Sequence, residues 1–259
     1  MTEILETARA AARVGGEVLK SYFRGSFDVR TKATADMVSD ADVNAETAIV
    51  ECIRSRFPDH AILGEERHDA VGDEAQLWVV DPLDGTTNFV HQIPHFAVSI
   101  GYYEHGVGQV GVVFNPVTDQ WFTAVRGQGS EWNGQPIKVN AERSLADALV
   151  GVGFYYDRGE LMHRTLAAIG EFFEENIHGI RRFGTASLDL CQVAMGRYGV
   201  FFEYILSPWD FAAGKIIVEE AGGRVTTCDG SPLTLTKSTL LASNELLHES
   251  ALAITRKYL

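Results

Sequence analysis

The sequence predicts a mixed α/β fold, with an α+β N-terminal lobe over residues 1–145 and an α/β C-terminal lobe over residues 146–259. Three observations carry this. Apolar residues recur at helical spacing from Thr2 to Phe23. Between Phe96 and Val125 the runs FAVSIGYY, GVGQVGVVF and QWFTAV are β-rich and broken by turn chemistry. After about Leu145 strands and helices alternate, which sets a soft boundary near residues 140 to 148. A chain of 259 residues with 46% hydrophobic content can bury a substantial core.

In order along the chain, Ile4, Leu5, Ala8, Ala11, Ala12 and Leu19 make Thr2 to Phe23 an amphipathic helix. A second helix is expected to start near Ser39, where Ser39-x-x-Asp42 resembles a capping box, and to stop at Pro58. Ala61 to Leu63 and Leu77 to Val80 read as short buried strands. The antiparallel runs from Phe96 follow, and Asn133-Gly134 signals a hairpin. Further on, helices are expected over Glu160 to Glu175, Ser187 to Met195, Pro208 to Ala221 and Glu245 to Tyr258, with strands at Val200 to Tyr204 and Thr239 to Ala242. Gly222-Gly223 closes the third of these helices.

Charge narrows the function. A net charge of −13 argues against a general nucleic-acid surface, which needs clustered Lys and Arg. No apolar run is long enough for a membrane span, and no secretory signal is visible. Cys52, Cys191 and Cys228 are scattered without metal spacing, which suits a reducing cytoplasm.

Both early strands deliver acids at their C-terminal ends, Glu65 and Glu66 after the first, Asp81 and Asp84 after the second. Carboxylates there are costly unless hydrated, paired or ligating a cation. With Asp210, which opens a helix after Ser207-Pro208-Trp209, they make an oxygen-rich set suited to Mg²⁺ better than to zinc. In WVVDPLDGTTNF, Asp81 is expected to end the strand, Pro82 and Leu83 to turn the chain, and Asp84 to return a second carboxylate. Gly85 allows close backbone approach, and Thr86, Thr87 and Asn88 start a helix whose N–H groups face an anion.

Four motifs in order resemble the inositol monophosphatase family of lithium-sensitive, Mg²⁺-dependent phosphatases. They are Lys32-x3-Asp36-x-Val38-Ser39-x2-Asp42, Gly64-Glu-Glu66, Asp81-Pro-Leu-Asp-Gly-Thr-Thr-Asn-Phe89, and Trp209-Asp-Phe-Ala-Ala-Gly214 leading to Glu220-Ala-Gly-Gly223. The run Arg181 to Arg197 joins them, so the likeness covers nearly the whole chain. It implies a layered αβαβα sandwich and hydrolysis of a phosphate monoester by a metal-activated water. Glu65, Asp81 and the Leu83 carbonyl resemble ligands of one Mg²⁺, and Asp81, Asp84 and Asp210 those of a second, with a weaker third near Glu65. Gly85 and Thr86 match phosphate-binding positions, and Asp42 and Thr86 the pair that activates water, with Glu65 nearby. Ala186 and Glu203 match positions that contact the sugar alcohol, alongside Asp84 and Asp210 at the substrate. Lys32 falls on the mobile hairpin that closes over the metals. Glu66 is left out of the ligand set, and Asp189 is read as structural.

Members acting on 3′-phosphoadenosine 5′-phosphate show Lys-Glu after Asp-Gly-Thr, whereas this chain has Thr87-Asn88. That favours myo-inositol monophosphate, with histidinol phosphate and fructose 1,6-bisphosphate as enzymatic alternatives and a regulatory binding partner as the non-enzymatic one. The resemblance also implies a homodimer and inhibition by lithium.

Overall fold

The computed structural model describes residues 1–23, 29–33, 36–66, 73–155 and 158–259, with backbone alone at 29–33, 36–39 and 73–74. The chain forms alternating layers of helix and sheet, αβαβα. The outer layer is α1 (Thr2–Tyr22) and α2 (Asp40–Arg54). Ile4, Ala8, Ala11, Ala12 and Leu19 of α1, together with Ala41, Ala45, Ile49 and Ile53 of α2, bury the apolar stripes that their spacing foretold. Preceding α2, β1 (Val29–Ala33) and β2 (Asp36–Ser39) pair antiparallel. The side chains of Lys32 and Ser39 lie outside the described residues.

Beneath α1 and α2 runs a seven-stranded sheet of β3 (His60–Gly64), β4 (Asp73–Asp84), β5 (Ala97–Glu104), β6 (Val107–Asn115), β7 (Gln120–Val125), β8 (Gly129–Trp132) and β9 (Gln135–Ile137), in that order. β3 and β4 are parallel and every later pair is antiparallel. Asn133 and Gly134 join β8 to β9 with positive φ, 48° and 76°, as a type I′ hairpin requires.

The short helix α3 (Thr86–Val90) leaves β4 at the site. Farther along come β10 (Leu149–Val152), α4 (Glu160–Glu174), β11 (Gly179–Arg181), α5 (Ala186–Ala194), β12 (Val200–Leu206), α6 (Pro208–Glu220), β13 (Gly223–Thr226), β14 (Ser238–Asn244) and α7 (His248–Thr255). The second sheet has the order β11-β10-β12-β14-β13. Helices α5 and α6 are the middle layer: Leu188, Leu190, Phe211, Ile216 and Ile217 share one apolar cluster with Val79 and Phe122 of the first sheet and Phe201 and Leu240 of the second. α4 and α7 cover the far face through Phe172, Leu252 and Ile254.

Two expectations are corrected. The last helix starts at His248, not Glu245, because the Asn244 side-chain oxygen accepts the Leu247 N–H (2.8 Å) and holds residues 245–247 as a turn. The strand expected to end at Asp81 instead continues to Asp84. Among the described residues, no helix is long and apolar enough to cross a membrane.

Candidate active site

The continuation of β4 is what builds the site. Asp81 pairs with Ser99 and Asp84 with Ala97, so three steps along β4 match two along β5. Side chains three apart on a regular strand point to opposite faces; one extra residue returns the second to the face of the first. The bulge thus brings Asp81 and Asp84 to the same cleft and accommodates Pro82, which has no N–H for the ladder. Asp81 steadies it by accepting the Leu83 N–H (3.0 Å), and the Thr86 hydroxyl donates to the Leu83 carbonyl (3.1 Å). Gly85 then takes φ 96°, and a Cβ there would stand 2.5 Å from Thr185 Oγ1, so only glycine fits.

The cleft is lined by Glu65, Asp81, Leu83, Asp84, Gly85 and Thr86 on one side and by Ala186, Asp189 and Glu203 on the other. Asp42, Glu65 and Glu66 bring carboxylate oxygens within 4.8 Å of one another, close enough to share a cation. Glu66, which the sequence left out of the ligand set, therefore belongs to the acidic group; its N–H donates to Glu46 Oε2 (2.9 Å). Asp81, Asp84 and Asp210 fall outside that triad but lie in its field. Burial, then the charges of Glu65, Asp84, Asp210 and Asp42, push the Asp81 carboxyl well above the ordinary range. Burial also raises Asp84 to about 6, against hydrogen bonds from the Ser187 and Ala186 N–H groups (2.7 and 3.3 Å) that open α5. Asp210 is half-buried, yet its carboxylate turns in to accept the Ser207 N–H (2.6 Å). Burial, Glu65 and Asp84 raise it in turn.

Buried acids that repel one another in this way are tolerable when hard cations sit among them, and their all-oxygen donor set fits Mg²⁺. The Ala186 N–H is already committed to Asp84. Glu203, buried on β12, reaches into the cleft because residue 153 is glycine: a Cβ there would meet Glu203 Oε2 at 1.8 Å. Burial and the charges of Asp210 and Asp189 raise the Glu203 carboxyl, and Arg182 lowers it. Asp189 is fully buried but lines the cleft, with the Tyr198 hydroxyl 3.4 Å away.

Sequence reasoning gave no role to Arg182, Phe154 and Tyr155, all of which line the cleft. An arginine in a loop reads as a solvated charge. The one available signal was Gly184 two residues later, a backbone that folds back on itself. Lys237 is also near, donating to the Tyr155 hydroxyl (3.0 Å) and lowering Asp210.

The model of the inositol monophosphatase family matches residues 1–259. The chain belongs to that family. This member is 41% identical over 272 residues to Nus factor SuhB of Pseudomonas aeruginosa, covering 100% of this chain and 98% of the relative. Its fold superposes on the extragenic suppressor protein suhB of Bartonella henselae with a TM-score of 0.93 and 38% identity, over 98% of this chain and 99% of the other. The inositol monophosphatase of Anabaena gives 0.88 and 39%, over 99% and 96%. Membership makes the protein a phosphatase of a Mg²⁺-dependent family.

Proposed function

We propose that the protein hydrolyses myo-inositol monophosphate to inositol and phosphate with Mg²⁺ as cofactor. The observation that carries this reading is the bulge in β4, which turns Asp81 and Asp84 into a cleft shared with Glu65 and faced by Glu203. The residues 1–145 bring most of the cation-facing acids, and 146–259 bring Asp210 and the wall that receives the alcohol. Glu65, Asp81, Asp84, Asp210 and the Leu83 carbonyl would hold two Mg²⁺, with a weaker third beside Glu65, Glu66 and Asp42. When bound, Mg²⁺ supplies Lewis acidity to the phosphoryl oxygens and to a water nucleophile.

The chain's own groups do the rest. Gly85 and Thr86 hold the phosphate. Thr86, its hydroxyl already aligned on Leu83, orients the attacking water together with Asp42, which accepts its proton. Glu203 accepts from hydroxyls of the leaving alcohol, and the Ala186 N–H, held by Asp84 in this structure, would join it if that hydrogen bond were released. A homodimer in the cytoplasm completes this reading.

Phosphate release is the test. The expected result is Mg²⁺-dependent release from inositol 1-phosphate well above that from histidinol phosphate, fructose 1,6-bisphosphate or 3′-phosphoadenosine 5′-phosphate, with inhibition by millimolar lithium. Preference for another member of that panel would displace the inositol reading while keeping the phosphatase. The name Nus factor borne by the Pseudomonas relative favours a second reading, a regulatory binding partner on the same fold. Stoichiometric capture of a partner, with no phosphatase activity across the panel, would support it over the first.

A further inference from the structure

Arg182 stands in the loop between β11 and α5 and lines the cleft beside Ala186, Asp189 and Glu203. Among the described residues, no hydrogen bond, ion pair or ring contact engages its guanidinium, so its five N–H donors are open to a ligand. Glycine at 184 leaves room for it. Gly184 has φ 79°, and a Cβ at that position would lie 2.6 Å from Arg182 Nη1 and 3.2 Å from Cζ. The guanidinium therefore rests against a backbone position that only glycine leaves open.

Across the pocket, Glu203 offers acceptors when ionised, held forward over Gly153. Its carboxyl feels the positive charge of Arg182, as does that of Asp189. Phe154, Tyr155 and Leu206 supply the apolar edges. A fork of donors facing a carboxylate suits a leaving group whose neighbouring hydroxyls can each accept from one side and donate to the other. A cationic amine in that space would meet the like charge of the guanidinium.

We propose that Arg182 sets the charge of the accepted leaving group, donating to a hydroxyl of a neutral polyol phosphate while Glu203 accepts from its neighbour, and so excludes amino-alcohol phosphates. This inference rests on the phosphatase reading above and adds a specificity-determining residue to it.

The test measures kcat/KM for wild type, Arg182→Gln and Arg182→Lys on inositol 1-phosphate, histidinol phosphate, fructose 1,6-bisphosphate and p-nitrophenyl phosphate, all with Mg²⁺. In Arg182→Gln the loss on inositol 1-phosphate is expected to exceed that on p-nitrophenyl phosphate by about ten- to a hundredfold, the worth of a charged hydrogen bond. The preference for inositol 1-phosphate over histidinol phosphate falls in step, and Arg182→Lys retains part of it. Equal losses on all substrates, or a polyol preference that survives Arg182→Gln, would overturn the inference alone. A larger loss on the bisphosphate than on the polyol would also overturn it, assigning Arg182 to a second anion. Wild-type protein inert toward all four substrates would take the phosphatase reading down as well.

Discussion

On the β4 side of the cleft, Asp81, Asp84 and Glu65 share one wall, and the charges of Glu65 and Asp84 raise the proton affinity of Asp81 and of Asp210. On the β12 side, Glu203 is buried as deeply as Asp84, but a guanidinium stands beside it. The first wall is incomplete without a cation from solution; the second carries its own counter-charge. One half of the pocket is therefore built for a metal and the other for an uncharged alcohol. The difference also separates substitutions that should stop the chemistry from those that should change what is accepted.

The largest effect is expected from Asp84→Asn, which removes an anionic oxygen at nearly constant volume. Loss of a ligand worth several kcal/mol should cut kcat/KM by roughly a thousandfold on every substrate. The metal-free variant should melt near wild type at pH 7, since the loss of a repelling charge offsets the loss of one of the two N–H bonds that Asp84 accepts. Ordinary turnover at millimolar Mg²⁺ would exclude Asp84 as a ligand.

Second is the pH dependence of metal-free stability. Folded Asp84 keeps its proton up to about pH 6, whereas the unfolded chain releases it near 3.8. Between those values the folded state binds more protons, so its stability is fullest below about pH 4 and falls as pH rises toward 6, by up to about 3 kcal/mol. Asp81 and Asp210 act in the same direction. His248 acts in the opposite one. Its ring is buried between Thr226 and Ser243 and titrates at about 4, so its contribution is present above 6.5 and lost as pH falls. The informative quantity is therefore the rise in Tm on adding Mg²⁺, measured by thermal unfolding at several pH values. It should grow from pH 5 to pH 7; a rise that does not change would mean the acids are not where the cation binds.

The smallest effect tests the other wall. Gly153→Ala puts a methyl group where Glu203 Oε2 now lies and must displace that carboxylate. KM for inositol 1-phosphate should rise about tenfold, a loss of one hydrogen bond to a charged group, with a smaller change for p-nitrophenyl phosphate. Equal changes for both substrates would mean that Glu203 does not touch the alcohol.

Much of the fold was legible because long helices and alternating strands write their period into the chain. Thr2–Tyr22 and Pro208–Glu220 came out within a residue or two, the second because Pro208 at its start and Gly222 past its end mark it. The short strands Leu149–Val152, Gly179–Arg181 and Gly223–Thr226 carry too few residues for a period to register, and only their partners across the sheet define them. In the cleft, Asp81, Asp84 and Glu65 were legible as acids at strand ends. Glu66 was legible as an acid there too but not as a member of the cation-facing group, because its place depends on how the chain after β3 folds back on Glu46. Arg182 was hidden for a similar reason: its setting is made by Glu203 and Gly184, one of them distant in sequence and the other silent as a side chain.

The irregularity at Asp81–Asp84 makes this segment a counting device. Replacing Pro82 or Leu83 leaves the parity of the pleat intact, whereas deleting or inserting a single residue would throw one aspartate through to the α1 and α2 side. The quantity that inheritance must guard between these two acids is therefore the number of residues more than their identity, and a codon gained or lost there does more harm than a codon changed.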